Sequence, residues 1–164
     1  MPASGAGISP HRVGEGRNRD GLARIGVINR AINLAIMPMS DMKQWGVPDR
    51  WSSPLETLTS GRGDCEDYAI AKYVALVDAG IPKEDVKLVI VHNLAFDEDH
   101  AMVATRVGSE WIVLDNRSLA LVPDIAVRRV TPLFVLDDIG VKVFVPTAQT
   151  RLAADQQRSQ TKGS

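Results

Sequence analysis

Gly61-Arg62-Gly63-Asp64-Cys65-Glu66-Asp67-Tyr68 holds the only cysteine of the 164-residue chain. Two glycines precede it, and downstream the apolar residues Ala69, Ile70, Tyr73, Val74 and Val77 recur at three- and four-residue steps. That spacing lines one face of an α-helix, and Gly80 followed by Ile81-Pro82 supplies a stop. Asp64 is a good N-cap, which puts Cys65 in the first helical turn. Unpaired N–H groups and the positive end of the helix dipole favour a thiolate there. Asp64, Glu66 and Asp67 act the other way, because nearby anions raise a thiol's pKa. A nucleophile in that setting needs an opposing cation, either an imidazolium or a metal ion. Hard oxygen ligands packed this closely suit calcium better than zinc. The competing reading is an acidic helix start around a buried, inert cysteine.

Length and composition narrow the function classes. The chain is long enough for one domain with a core and too short to expect two. A formal net charge of -1 and the lack of any basic block interleaved with aromatics leave a nucleic-acid partner unsupported. A single cysteine excludes an internal disulfide and leaves the redox compartment open. No apolar run approaches transmembrane length, so no membrane insertion is expected. Residues 1–20 are rich in glycine and arginine without an apolar middle and do not read as a signal peptide. A cytoplasmic location and a start after a removed leader both fit.

Along the chain, residues 1–19 read as a disordered N-terminal segment. A helix is expected from Asp20 as cap, with Leu22, Ile25, Ile28, Ile32, Ala35 and Ile36 on its buried face and Pro38 at its end. Met37, Met39 and Met42 read as flexible core filling. In the irregular segment that follows, Trp45 and Trp51 either cover a core edge or wall a peptide groove beside Cys65. Ser53-Pro54-Leu55-Glu56 is a capping box with proline at the first helical position, so a short helix runs to about Ser60. Residues 86–91 form an apolar β-run that reads as a strand covered on both faces, followed by an acidic loop over 93–99. Strands are expected over 100–107 and 110–114, joined by a two-residue turn at Gly108-Ser109. Later strands fall near 133–136 and 141–145, with Gly140 between them. One domain thus spans 20–146, and 147–164 reads as a disordered tail.

The hairpin register carries an inference of its own. With Gly108 and Ser109 as the loop, Val107 pairs with Glu110, and Asp115 falls opposite Met102. Side chains alternate with period two, so His100, Met102 and Asp115 point the same way. His100 and Asp115 are then diagonal neighbours with Cβ atoms roughly 7 Å apart or less. The carboxylate can accept a proton from one imidazole nitrogen and leave the other free as a base. If the Cys65 helix packs its start against this face, a Cys–His–Asp triad results. A structural histidine and an Asp115-Asn116 turn are the plainer alternatives. His92 and His11 have no comparable partner.

The run from Gly61 to Ala69 resembles the signature of the bacterial transglutaminase-like cysteine proteases, the LapG-type periplasmic enzymes that release large adhesins from the cell surface. The similarity extends through Trp45-Gly46, Asp49-Arg50-Trp51 and Pro54-Leu55-Glu56 upstream, and through His100-Ala101-Met102 and Leu114-Asp115-Asn116 downstream. It implies an α+β, papain-like (transglutaminase-like) fold with a nucleophile helix packed on an antiparallel β-sheet. It implies Cys65 as nucleophile, His100 as general base and acid, and Asp115 as the orienting carboxylate. It further implies calcium (Ca2+) bound through Asp64 and Glu66, with Asp67 as a third candidate. A large surface adhesin as protein substrate, and an inner-membrane regulatory partner, come with the resemblance alone.

The reading is therefore a calcium-dependent cysteine endopeptidase. The Cys65 backbone N–H is a natural oxyanion donor, with Gln44 and Trp51 as candidates for the second. A transglutaminase or protein deamidase would use the same acyl-enzyme chemistry with a different acceptor. A non-catalytic peptide- or calcium-binding module is the reading from another class.

Overall fold

The computed structural model describes residues 10–145, with side chains from residue 20 onward; expectations placed on residues 1–9 and 146–164 lie outside the described residues. Helix α1 spans Pro10–Ala35, so its backbone starts ahead of the Asp20 cap read from the sequence. Its buried face is Ile25, Asn29 and Ile32, continued by Ile36 just past its end. Leu22 is exposed and Asn29 is fully buried, so the stripe is rotated and partly polar, for reasons that lie in the loop it grips.

After α1 the chain makes a two-residue strand, β1 (Met37–Pro38), then α2 (Asp41–Gln44) and α3 (Pro54–Ser60). The capping box at α3 forms as its sequence requires: Ser53 Oγ accepts from the Glu56 amide, and the Glu56 carboxylate accepts from the Ser53 amide. Gly61 closes α3 at φ +64°, the left-handed conformation glycine tolerates. Strand β2 (Arg62–Gly63) then pairs in parallel with β1. The Met37 amide donates to the Gly61 carbonyl at 2.8 Å, and that of Met39 to Gly63 at 2.9 Å. This pair was not foreseen, because each strand is too short to show alternation. Met37 and Met42 are more than half exposed, which corrects the expectation that they fill the core.

Helix α4 (Cys65–Asp78) is the centre of the fold. Tyr68 and Ala71 face Ile32 of α1 and Ile36 just beyond it, while Ala69 and Leu76 pack with Leu88, Ala101, Val103, Ile112 and Leu114 of the sheet. A helix packed on two sides has no single polar face, so its simple apolar stripe marked only part of the buried surface.

The sheet is antiparallel, in the order β6-β5-β4-β3-β7-β8. Its strands are β3 (Val86–Asn93), β4 (Glu98–Val107), β5 (Glu110–Leu114), β6 (Val122–Pro123), β7 (Val130–Leu136) and β8 (Val141–Val143). The β4–β5 hairpin has the predicted register, Val107 opposite Glu110 and Val103 opposite Leu114. Central strand β3 is not covered on both faces by other elements. The far face of the sheet carries a second apolar cluster, Val91, Met102, Ala104 and Val113, that opens on a cleft bordered by Trp111, Val127 and Phe144. Among the described residues no helix is long and apolar enough to cross a membrane.

Gly63 lies where β2 meets α4, and an added Cβ there would come within 2.7 Å of Asp67 Cβ and Oδ2. Gly63→Ala is expected to destabilise the fold by about 1–3 kcal/mol through overpacking. The measurement is urea unfolding, and a midpoint equal to wild type would mean that Asp67 moves aside freely.

Candidate active site

Cys65 is the first residue of α4, half-buried, with Asp64 in the N-cap position. The Asp64 side chain does not cap the helix, contrary to the sequence reading. The thiol donates to Glu66 Oε2 at 3.0 Å. Burial, then that hydrogen bond, and further the Glu66 and Asp64 charges push the thiol up to about 12. The backbone amide of Ala101 acts in the opposite sense, as a donor to the sulfur. The thiol therefore meets β4 at the residue directly after His100.

His100 is 2% exposed, and its Nε2–H donates to Asp115 Oδ1 at 2.8 Å. The hairpin register thus delivers the diagonal pair it predicted. His100 Nδ1 is buried and has no hydrogen-bond partner. Burial acts to raise the Asp115 carboxyl, but the His100 hydrogen bond, the Arg117 amide and the charge of the Arg117 guanidinium hold it below its usual value. The Arg117 amide donates to Asp115 Oδ1 at 3.0 Å, so both hydrogen bonds fall on one oxygen. From α1, Asn33 Nδ2 donates to the Asp115 carbonyl at 2.9 Å and fixes the backbone. Asn33 was missed because its role depends on a contact 82 residues away in the chain.

The acidic residues divide in a way the sequence did not reveal. Asp41, Asp64 and Asp67 offer carboxylate oxygens that lie within 4.8 Å of one another. Glu66, read from the sequence with Asp64 and Asp67 as a calcium ligand, is outside this group and bonded to the thiol. The newcomer, Asp41, opens α2 and is carried to Asp64 by the β1–β2 pair. Its Oδ2 accepts from the Arg50 amide, and Asp67 Oδ1 accepts from the Ser52 amide at 2.8 Å. Asp41 Oδ1, Asp64 Oδ1 and Asp67 Oδ2 are buried without partners. Burial first, then Glu66, Asp41 and Asp67 drive the Asp64 carboxyl up to about 8. Burial and the Asp41 charge also raise Asp67, against the Ser52 amide. Three inward-facing, unsatisfied carboxylate oxygens form a donor set for a hard divalent cation.

Trp45 and Trp51 are 38% and 46% exposed, so neither caps the core. Arg50 stacks on Trp45 at 4.1 Å, and Trp51 walls a shallow pocket with Ile70, Tyr73 and Leu136. Gln44 Nε2 reaches Ser60 Oγ at 3.4 Å. His92 lies apart from the site, bonded to Asp99 at 3.0 Å and Asp97 at 3.2 Å, and the side chain of His11 is outside the described residues.

Comparison with known proteins agrees with this architecture. The structure of Legionella pneumophila LapG in its calcium-bound form superposes with a TM-score of 0.67 at 22% identity, covering 80% of this chain and 76% of that one. The EGTA-treated form of the same protein gives 0.67 at 22% identity over 82% of this chain and 75% of that one. At that identity the likeness establishes the fold. No curated protein sequence matches the chain. Residues 9–125 match the family model described as bacterial transglutaminase-like cysteine proteinase. A transglutaminase-like fold with a cysteine at the start of its central helix, matched by that model over most of its length, makes the chain a cysteine protease and a member of the bacterial transglutaminase-like cysteine proteinase family.

Proposed function

We propose that the protein is a calcium-dependent endopeptidase that cleaves a protein substrate with Cys65, His100 and Asp115. The observation that carries this reading is the His100–Asp115 hydrogen bond at 2.8 Å, which leaves Nδ1 bare on the residue beside the thiol's contact at Ala101. Asp115 holds the Nε2–H tautomer, so Nδ1 is the nitrogen available to take the thiol proton. The sulfur then attacks the scissile carbonyl, and the Cys65 backbone N–H at the start of α4 donates to the oxyanion. His100 returns its proton to the leaving amine, and water admitted by the same base hydrolyses the thioester and restores the thiol.

Asp41, Asp64 and Asp67 would hold the calcium, and their three unsatisfied oxygens support that assignment. Calcium bound there supplies positive charge that offsets the carboxylates otherwise opposing a thiolate. The resemblance read in the sequence extends the proposal to a large bacterial surface adhesin as substrate, a periplasmic setting linked to biofilm release, and control by an inner-membrane partner.

Mixing the protein with candidate surface adhesins, with calcium or with EGTA, tests the activity by mass spectrometry. Discrete fragments formed only with calcium are expected, and an intact substrate with a mass change would indicate amide transfer or deamidation instead. Cys65→Ala should lower cleavage by roughly 10⁴-fold or more, as for loss of a nucleophile elsewhere; activity near wild type would remove Cys65 from the reaction. Asp41→Asn is expected to raise the calcium concentration for half-maximal activity by roughly 10- to 100-fold. An unchanged calcium titration would exclude Asp41 as a ligand.

Stability against pH offers a test without substrate. The Asp64 carboxyl has a folded pKa of about 8 against an ordinary value of 3.8. The calcium-free protein thus holds an extra proton between these values, so its Tm is highest below the lower one and falls as pH rises through the upper one. Saturating calcium should flatten that slope; identical slopes with and without calcium would count against a cation on these carboxylates.

A further inference from the structure

Residues 45–53, between α2 and α3, form neither helix nor strand, and the chemistry derived above does not use them. They carry two partly exposed indoles, Trp45 and Trp51. Two backbone amides tie this loop to the acidic cluster. Arg50 donates its amide to Asp41 Oδ2, and Ser52 donates its amide to Asp67 Oδ1 at 2.8 Å. Asp41 and Asp67 are 2% and 0% exposed, and their other oxygens, Asp41 Oδ1 and Asp67 Oδ2, have no partner. Each carboxylate is thus divided between two tasks. One oxygen holds the loop, and the other is left for a cation.

The rest of the loop is joined to these two amides. Trp51 is the residue between them, and its ring borders a pocket with Ile70, Tyr73, Leu88 and Leu136. The Arg50 guanidinium stacks on Trp45 at 4.1 Å and pairs with Glu56 at 2.8 Å. Glu56 in turn accepts from the Ser53 amide at 3.0 Å, at the start of α3. A displacement of either carboxylate therefore reaches both indoles and the next helix. Anionic Asp41, Asp64 and Asp67, with oxygens within 4.8 Å of one another, repel, and turning one away stretches its bond to the loop. A divalent cation reverses that force and draws the free oxygens to one point.

We infer that residues 45–53 are the calcium-responsive element of this chain: a cation on the free oxygens of Asp41 and Asp67 locks the Arg50 and Ser52 amides, and with them Trp45, Trp51 and the start of α3. The inference rests on the calcium reading of these carboxylates and is independent of the catalytic residues. By linkage, whatever fixes the loop also tightens the ion.

The experiment measures calcium binding by equilibrium dialysis and amide hydrogen exchange at Arg50 and Ser52 by NMR, in calcium and in EGTA. At calcium about 100 times its Kd, exchange through an opening that releases the ion slows by up to about 100-fold. A slowing of about 10-fold or more at both amides is expected. Bound calcium with unchanged exchange at Arg50 and Ser52 would overturn the inference and leave the calcium reading standing. Absence of binding would remove the calcium reading and the inference with it.

Tryptophan emission reads the same event in the folded state. The chain has three tryptophans, and Trp111→Phe leaves Trp45 and Trp51. Emission of that variant should change along the dialysis binding curve, and Trp51→Phe should lose half or more of the change. A response that disappears in Trp111→Phe would belong to the far face of the sheet and would also overturn the inference. If either variant does not fold, the exchange measurement on the unmodified chain decides. Retained cleavage by Cys65→Ala would remove the protease reading without altering any of these results.

Discussion

The site depends on how closely the start of α4 approaches β4. Ala69 and Ala101 are both 2% exposed and share one apolar cluster, and their small side chains let helix and strand come near enough for the Ala101 amide to reach the Cys65 sulfur. A larger residue at either position would hold the thiol away from the strand that carries His100. Close approach has its own consequence, since the burial that creates it is the first cause of the raised thiol pKa. A helix N-terminus and one strand amide are modest counterweights to that burial, which is why the surroundings must supply further positive charge.

The structure holds two sets of buried, unsatisfied charged groups. Asp41, Asp64 and Asp67 crowd unsatisfied oxygens together. On α4, Lys72 is 1% exposed and its Nζ has no hydrogen-bond partner. Either arrangement alone would be replaced by apolar packing if stability were the only criterion. Groups that break the rules of a well-satisfied core are expected where function requires charge.

Local features were read correctly from the residues that make them. The capping box at Ser53–Glu56, the glycine stop at Gly61, the helical start at Cys65 and the Gly108-Ser109 turn each depend on neighbours within a few positions. The hairpin went further, because a two-residue loop sets the register of the whole ribbon, and register alone makes His100 and Asp115 diagonal neighbours. Reading failed where a face or a partner is chosen at long range. The α1 stripe included Leu22 and omitted Asn29, since a buried asparagine satisfied by the carbonyls of Ser118 and Leu119 looks polar and exposed in one dimension. The methionines after α1 were assigned to the core because hydrophobicity does not say which residues a β-pair turns outward.

The sequence by itself therefore determined the element carrying the cysteine and the ribbon carrying the histidine and aspartate through short-range rules of capping, turn geometry and alternation, while the family followed from the resemblance of the Gly61–Ala69 run to a known signature. Only the tertiary structure decided which acids converge. Asp41 reaches Asp64 through a parallel pair two residues long. That contact leaves no periodic trace, because periodicity records which side of an element is buried and not what lies on the other side of the interface.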